Sequence, residues 1–469
     1  MPTTITRLDG STVTLDDERL TELRGTFRGE VVAPGDAGYD EARTGGFNEL
    51  YAERRPGLVV RCTGTADVID AVGLAATERL LVAVRGGGHS IAGHSSVDGG
   101  LLIDLGAMNG VWVDPDARTV TAQGGATWGD VDREAQAFGL AVPGGIISTT
   151  GIGGITLGGG IGWLHRKLGL ACDTLRSAQL VTADGRLIRT SADEEPDLFW
   201  ALRGGGGNFG AVVAIEFELI PMRQVHAGMM LFPIERAREV MQTWREWTSE
   251  VPDSVTTSIR IMQFPPMPEL PPFLRGRGVV LIDGALVEDA GRAGELLAPL
   301  RALGPEMDTF ADMAPVGLSR IHMDPEQPMP GMSDSMMLDE LTAETVDALV
   351  DATGPGSGSP LLLVELRHLG GALGRYAGGA LSRFDGEYLY FAAGIPMDPA
   401  VVAALETHFA IVGAALAPAS SGRHYLNFAE RAVDPVAFFG EETCARLRKE
   451  KAEVDPLEIF RGNHEIPAV

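Results

Sequence analysis

An α+β fold in two parts is predicted from three features of the sequence. The chain has 469 residues, more than one globular core usually holds. Up to Ile220-Pro221, short apolar strand runs alternate with amphipathic helices without a strict strand–helix–strand order. Beyond that point the texture changes, and strands and helices are joined by Met- and Pro-rich loops. Apolar residues make up 45% of the chain, enough for a sizeable core, so global disorder is excluded.

The elements follow in order. The first thirty residues read as a polar extension with one helix near 16–24. A strand at 57–61, a helix at 66–77 and a strand at 80–84 come next, then a Gly/Ser-rich loop and strands at 101–105 and 119–122. The amphipathic helix predicted over 127–138 stops at Gly139, which suits a left-handed C-cap. Strands at 178–182 and 187–190 flank Asp184-Gly185, a strong hairpin turn. A helix at 194–202 and an alternating strand at 211–219 close the first part. In the second part, strands are predicted near 255–263, 278–282, 361–367 and 388–393, with helices at 234–246, 288–303 and 342–351. Residues 305–337, rich in Met, Pro, Asp and Ser, read as a mobile loop system. A charged helix at 441–454 is expected to return to the first part. The implied division is 1–222, 223–410 and 411–469.

Composition narrows the function classes. The chain carries 38 Lys and Arg against 64 Asp and Glu, a formal net charge of −26. Such a surface repels phosphate, which argues against nucleic acid and anionic membranes as partners. Cys62, Cys172 and Cys444 are widely spaced with no CxxC pair, so neither a disulfide framework nor a zinc site is supported. The first ten residues lack a basic region followed by an apolar stretch, and the most apolar run, 401–417, is broken by Glu406 and His408. The chain therefore reads as soluble and cytoplasmic.

Glycine is the outlier. It accounts for 61 residues, about 13% of the chain against a usual level of roughly 7%. About a quarter of it falls in three clusters: Arg85-Gly-Gly-Gly-His-Ser90, Gly151-Ile-Gly-Gly-Ile-Thr-Leu-Gly-Gly-Gly-Ile-Gly162 and Arg203-Gly-Gly-Gly-Gly-Asn-Phe-Gly210. Gly205-Gly-Gly-Asn-Phe-Gly210 satisfies GxGxxG, but a helix precedes it and a strand follows, the reverse of a dinucleotide-binding strand–loop–helix. No lysine is followed by Ser or Thr, which removes the P-loop, and no GxSxG or HExxH occurs. Three loops that let backbone approach closely suit a long, doubly charged ligand, because backbone N–H nests bind pyrophosphate without lysine.

Taken in order, these clusters with Asp98-Gly-Gly-Leu-Leu-Ile-Asp104, Gly169-Leu-Ala-Cys-Asp173, Asp197-Leu-Phe-Trp200, Val364-Glu-Leu-Arg-His-Leu-Gly-Gly-Ala372, Tyr425-Leu-Asn-Phe428 and Val454-Asp-Pro-Leu-Glu-Ile-Phe460 resemble the FAD-linked oxidases of the berberine bridge enzyme type. The resemblance covers roughly residues 40–465 and includes bacterial hydroxynicotine oxidases. It implies a PCMH-type FAD-binding fold with an inserted α/β substrate domain, an antiparallel sheet flanked by helices. It also implies FAD joined covalently to His89, in a cradle of Arg85, Gly86, Gly87, Gly88, Ser90, Thr149, Thr150, Gly153, Gly154, Thr156, Gly159, Gly160, Asn208, Gly210, Val212 and Asn427. Many relatives attach FAD a second time through a cysteine at the place of Ile147, so a single link is expected here. Gly145 stands where residue size is thought to control oxygen access, and glycine there resembles the oxidases. Some relatives carry histidine at the place of Ile155.

The implied reaction takes a hydride from an alcohol or amine carbon of a small, secondary-metabolite-like substrate and returns the electrons to oxygen. A dehydrogenase with another acceptor, or a drug-binding protein on the same scaffold, are the alternatives. For the base, Tyr425 resembles the family's flavin-facing tyrosine, and Glu365, Tyr388 and Tyr390 are further catalytic candidates on the substrate-domain strands. Strand alternation places Glu365 and Arg367 on one face and His368 on the other. The Met- and Pro-rich loops suggest a largely apolar pocket, and His94 and His165 read as structural.

Overall fold

In the computed structural model, residues 2–268, 270–462 and 464–468 are described. The N-terminal half builds two main sheets and two short two-stranded ones, Thr3–Thr6 with Thr12–Leu15 and Leu140–Ala141 with Ile220–Pro221. Leu58–Arg61, Leu101–Asp104 and Val82–Arg85 pair in parallel, with Glu30–Val32 antiparallel on the outer side of Leu58–Arg61. The helix Thr65–Glu78 connects the first and last of these and turns Val68, Ala71, Val72 and Ala75 inward, the three- and four-residue spacing of a buried helix face. Val181, Ala211 and Val213 pack into the same core from a five-stranded antiparallel sheet. That sheet runs Leu187–Ser191, Leu175–Val181, Ala211–Glu218, Thr119–Gln123, Val111–Asp114. Thr127 and Asp130 close a reciprocal capping box at the start of the helix Trp128–Gln136. Gly139 follows it with φ 68.

Residues between 225 and 394 supply a further, eight-stranded antiparallel sheet. Its centre is Val225–Pro233, Gly278–Leu286, Val255–Gln263, Leu363–His368 and Tyr388–Gly394. The helices Ala237–Thr248, Ala290–Arg301, Ala343–Thr353 and Pro399–Leu416 cover one face, burying Trp244, Leu297, Leu349 and Phe409 against it. The opposite face is turned to the glycine loops. Pro399–Leu416 is long and apolar enough, by length and composition alone, to cross a bilayer; here Leu405, Phe409, Val412 and Leu416 are buried in the core beneath it.

Two sequence expectations need correction, and one strand goes unread in the sequence. Residues 305–337 are not a loop system throughout. They hold two short strands, a 3-10 turn at Pro315–Arg320 and most of the strand Met332–Leu338, which pairs residue for residue with Tyr388–Gly394. That strand is made by a partner fifty or more residues away, which no local propensity reveals. Val225–Pro233 is a strand without the alternation that marks one, because residues 225–232 are all buried. The C-terminal helix begins at Val436 rather than 441, and it is broken at Gly440, where φ is 76.

The C-terminal segment is tied back by a buried ion. Lys451 is fully buried and donates to the carbonyls of Asn208 and Phe460 at 2.6 and 2.5 Å and to Asp455 at 2.6 Å. Asp455 also accepts from the Ile459 and Phe460 N–H groups. Removing one partner of such a pair strands the other charge away from water. Lys451→Met is therefore expected to cost about 3–5 kcal/mol, read as a lower urea midpoint, while Lys449→Met on the exposed side of the same helix leaves the midpoint within experimental error.

Candidate functional site

The glycine loops are shaped by contact with one another. A Cβ on Gly87 would lie 2.2 Å from the Gly151 nitrogen, and one on Gly88, whose φ is +73, 2.3 Å from the Gly45 oxygen. Only glycine allows that approach. The loops enclose one side of a cavity of about 350 Å³, and the open face of the eight-stranded sheet encloses the other.

On the loop side, His89 faces the cavity with both ring nitrogens engaged. Nε2 lies 2.9 Å from Thr149 Oγ1 and Nδ1 3.3 Å from Thr150 Oγ1. Phe47 stacks on the ring at 4.4 Å. Burial pushes the imidazole down to about 4, so it is neutral at physiological pH. Gly86, Gly87, Gly88, Ser90, Thr150, Gly153, Gly154, Asn208, Gly210, Val212 and Asn427 line the cavity with it.

Other predicted cofactor residues lie elsewhere. Arg85 is buried beneath the loop, paired with Asp104 at 2.8 Å and bonded to the Ala42 and Arg43 carbonyls, so it braces the strand end rather than the cavity. Gly145 packs on Trp128, where a Cβ would meet the indole at 2.6 Å. Thr149 reaches the cavity only through His89. Thr156 is fully buried with its hydroxyl unpaired, and Gly159 and Gly160 lie behind the wall, Gly160 donating to Tyr425. Asn208, although at the cavity, spends its amide on the tail, accepting from Gly462 and Ile466 and donating to Gly205 and His464.

On the sheet side, alternation sends Leu363, Glu365 and Arg367 to the cavity and Val364 and Leu366 into the helix-covered core. Glu365 is buried and held by Arg367 through two bonds of 2.9 and 3.0 Å. Burial alone would raise its carboxyl, but the Arg367 guanidinium and His322 outweigh that and hold it well below the usual range. Tyr388 and Tyr390 are corrected as catalytic candidates. The same alternation turns them away from the cavity; the Tyr388 hydroxyl bonds to Thr248, and Tyr390 is wholly buried in the helix-covered core. Tyr425 does line the cavity, accepting from Gly160 N–H and Asn427 Nδ2, both at 3.0 Å. Burial nevertheless pushes its phenol up, so it keeps its proton.

The pocket is largely apolar, as expected, but this wall is charged. Residues 305–337 deliver His322 and Asp324 to it, and Ser333 and Glu430 also line it. Neither these four nor Phe47 belongs to a sequence motif; a His-x-Asp pair in that stretch is the only signal they leave.

Comparison with known proteins agrees with this geometry. The family described as "FAD binding domain" matches residues 56–191. (R)-6-hydroxynicotine oxidase of Paenarthrobacter nicotinovorans is 31% identical over 457 residues, spanning 94% of this chain and 97% of that protein. The chain belongs to the FAD-linked oxidoreductases. The FAD-linked oxidoreductase YgaK of Bacillus subtilis is 38% identical over 236 residues, about half of each chain (49% of this one, 52% of that). A crystal structure of 6-hydroxy-D-nicotine oxidase from Arthrobacter nicotinovorans superposes with a TM-score of 0.81 at 27% identity, covering 94% of this chain and 98% of that one. A BBE-like protein of Physcomitrella patens, at 20% identity and TM-score 0.84, covers 96% of this chain and 99% of that one and shares the fold.

The residues present fit the family's cofactor. A Cβ added at Gly154 or Gly207 would meet nothing within 4 Å, so bare backbone faces the cavity from the second and third clusters. Such surfaces bind a dinucleotide by main-chain donors. Among the described residues no cluster of His, Cys, Asp or Glu could hold a metal. Gly87→Ala is expected to part the first two glycine loops, costing about 1–3 kcal/mol and lowering the FAD content of purified protein severalfold while far-UV circular dichroism is retained.

Proposed function

We propose that this FAD-linked oxidoreductase is an oxidase of a small organic alcohol or amine, with FAD tethered once, through His89. The single observation that carries the reading is a neutral, doubly oriented His89 in a glycine cradle, facing a wall of ionic side chains across one cavity. When bound, the flavin supplies a two-electron acceptor for hydride from a substrate carbon and can return those electrons to oxygen as hydrogen peroxide. The name of the hydroxynicotine oxidase that matches along nearly the whole chain supports oxygen as the acceptor.

The chain's own residues have separate tasks. His89 offers an uncharged ring nitrogen for the tether, because burial keeps the proton off and Thr149 and Thr150 set the ring's orientation. Ile147, a cavity residue, stands where a second tether would need cysteine, and Cys62, Cys172 and Cys444 are all buried away from the cavity. Asn427 donates to the Ile155 carbonyl at 2.8 Å and to Tyr425, which stiffens the floor between the second cluster and the sheet. Leu363, Phe391 and Phe428 exclude water around the charged groups.

Purified protein is expected to be yellow, and acid precipitation should leave the flavin with the pellet. His89→Ala should release it to the supernatant. Complete release from the wild type would overturn the tether. Peroxide formation across a panel of alcohols, amines and sugars tests the oxidase assignment; rapid reduction of the flavin followed by reoxidation over minutes in air-saturated buffer would place the chain among the dehydrogenases.

A further inference from the structure

The sheet-side wall carries a pair of residues that the reading above leaves unused. After the 3-10 turn Pro315–Arg320, Met323 takes φ 58, a left-handed conformation that a side chain rarely adopts. The sharp turn brings His322 and Asp324 together, with His322 Nδ1 at 2.8 Å from Asp324 Oδ1. Both line the cavity. Trp163 packs tilted against the His322 ring at 5.7 Å, and the residue is 3% exposed. Its second nitrogen, Nε2, is buried with no hydrogen-bond partner. Glu365 Oε1 lies 3.7 Å from it, longer than a hydrogen bond but close enough to pair with the ring when it is protonated.

An imidazole fixed on a carboxylate by one nitrogen, with no hydrogen bond to the other and its ring in a cavity wall, is arranged to take a proton: the carboxylate sets the tautomer and stabilises the imidazolium that forms. Glu430, also on this cavity, is pushed up to about 7 by burial and accepts from the Ser333 N–H at 2.6 Å, and the two candidates drawn from the sequence are committed elsewhere. Glu365 is occupied by both arms of Arg367, and Tyr425 holds its own proton while accepting two bonds.

We propose that His322, oriented by Asp324, is the catalytic base that removes the substrate's O–H or N–H proton as the adjacent carbon gives up hydride. The proposal rests on the flavin-oxidase reading and assigns a residue within it. For an alcohol, the C–H bond breaks with its electron pair leaving as hydride to the family's two-electron acceptor. The O–H bond breaks with its proton passing to His322 Nε2, and the electron pair left on oxygen forms the second C–O bond of the carbonyl.

The groups facing His322 set its pH range. Burial and the nearby Arg260 push the imidazole down, but Asp324 and Asp283 outweigh them and hold it at about 9. Arg260 is itself paired with Asp283, and Glu365 with Arg367, so the charges around the ring nearly cancel when it is protonated. A base must be uncharged to act. kcat/KM is therefore expected to rise with pH and level off above about 9.

Two measurements on the holoenzyme test this. The first is the pH profile of peroxide release with the fastest-oxidised member of a panel of benzyl alcohol, cyclohexanol, benzylamine and glucose. His322→Gln should lower kcat/KM by about 10²–10⁴-fold and abolish the alkaline rise. Asp324→Asn should move the rise to lower pH, because the imidazolium loses its nearest carboxylate. An unchanged rise in both variants overturns the proposal. The second needs no turnover: 4-chlorophenol offers an O–H proton but no carbon to oxidise, and its ionised form beside oxidised flavin is read as a long-wavelength absorbance band. The band should develop in wild type at a proton concentration at least tenfold higher than in His322→Gln. The same onset in both, or no band in either, overturns the assignment. A colourless preparation fails the flavin reading instead, which separates the two failures.

Discussion

The Gly87–Gly151 contact leaves no room for a single methyl group, and the placement of the site depends on it. Two backbones meet there at van der Waals distance. The contact ties the end of the parallel strand Val82–Arg85 to the start of the short helix Ile152–Leu157. His89 follows two residues later, so its position is inherited from this approach, and Thr149 and Thr150 come from the segment on the other side of it. A bulkier residue at either glycine would move the histidine and its two orienting hydroxyls together.

The two walls of the cavity are held by different physics. On the glycine side, backbone and small hydroxyls surround a histidine kept neutral by burial, so no counter-charge is needed. On the sheet side, charge is buried in compensated sets. Ser258 and Arg260 both bond to Asp283, Glu365 is clasped by Arg367, and Arg367 in turn lies over the Phe428 ring at 5.2 Å. Isolated, any one of these ions would be costly to bury; Glu365 and Arg367 line the cavity, and the Asp283 set is buried with them in the sheet. The strand alternation that presents Glu365 and Arg367 to this surface also buries Tyr390 among the helices, so one sheet supplies a reactive face and a packed face.

Much of the first half is legible in the sequence because its signals are local. The strands at 58–61 and 101–104, the helix before Gly139 and the Asp184-Gly185 hairpin need only runs of a few residues and their turn chemistry. The alternation of Glu365, Arg367 and His368 is legible for the same reason. Tyr388 and Tyr390 are misplaced by that reasoning because alternation separates two faces without saying which one meets the cavity. Arg85 sits inside a recognisable motif, yet its side chain turns back to Asp104. Phe47, His322 and Asp324 carry no motif at all.

The amino-acid sequence by itself determined the glycine loops, since the absence of a Cβ is a property of each residue wherever it lies, and with them the histidine at their centre and the family. Tertiary structure alone decided what stands opposite. Residues 322 and 324 meet Glu365 only because the eight-stranded antiparallel sheet and the turn at Met323 bring distant segments to one surface. Charge pairing acts through space, across chain separations that no local pattern records.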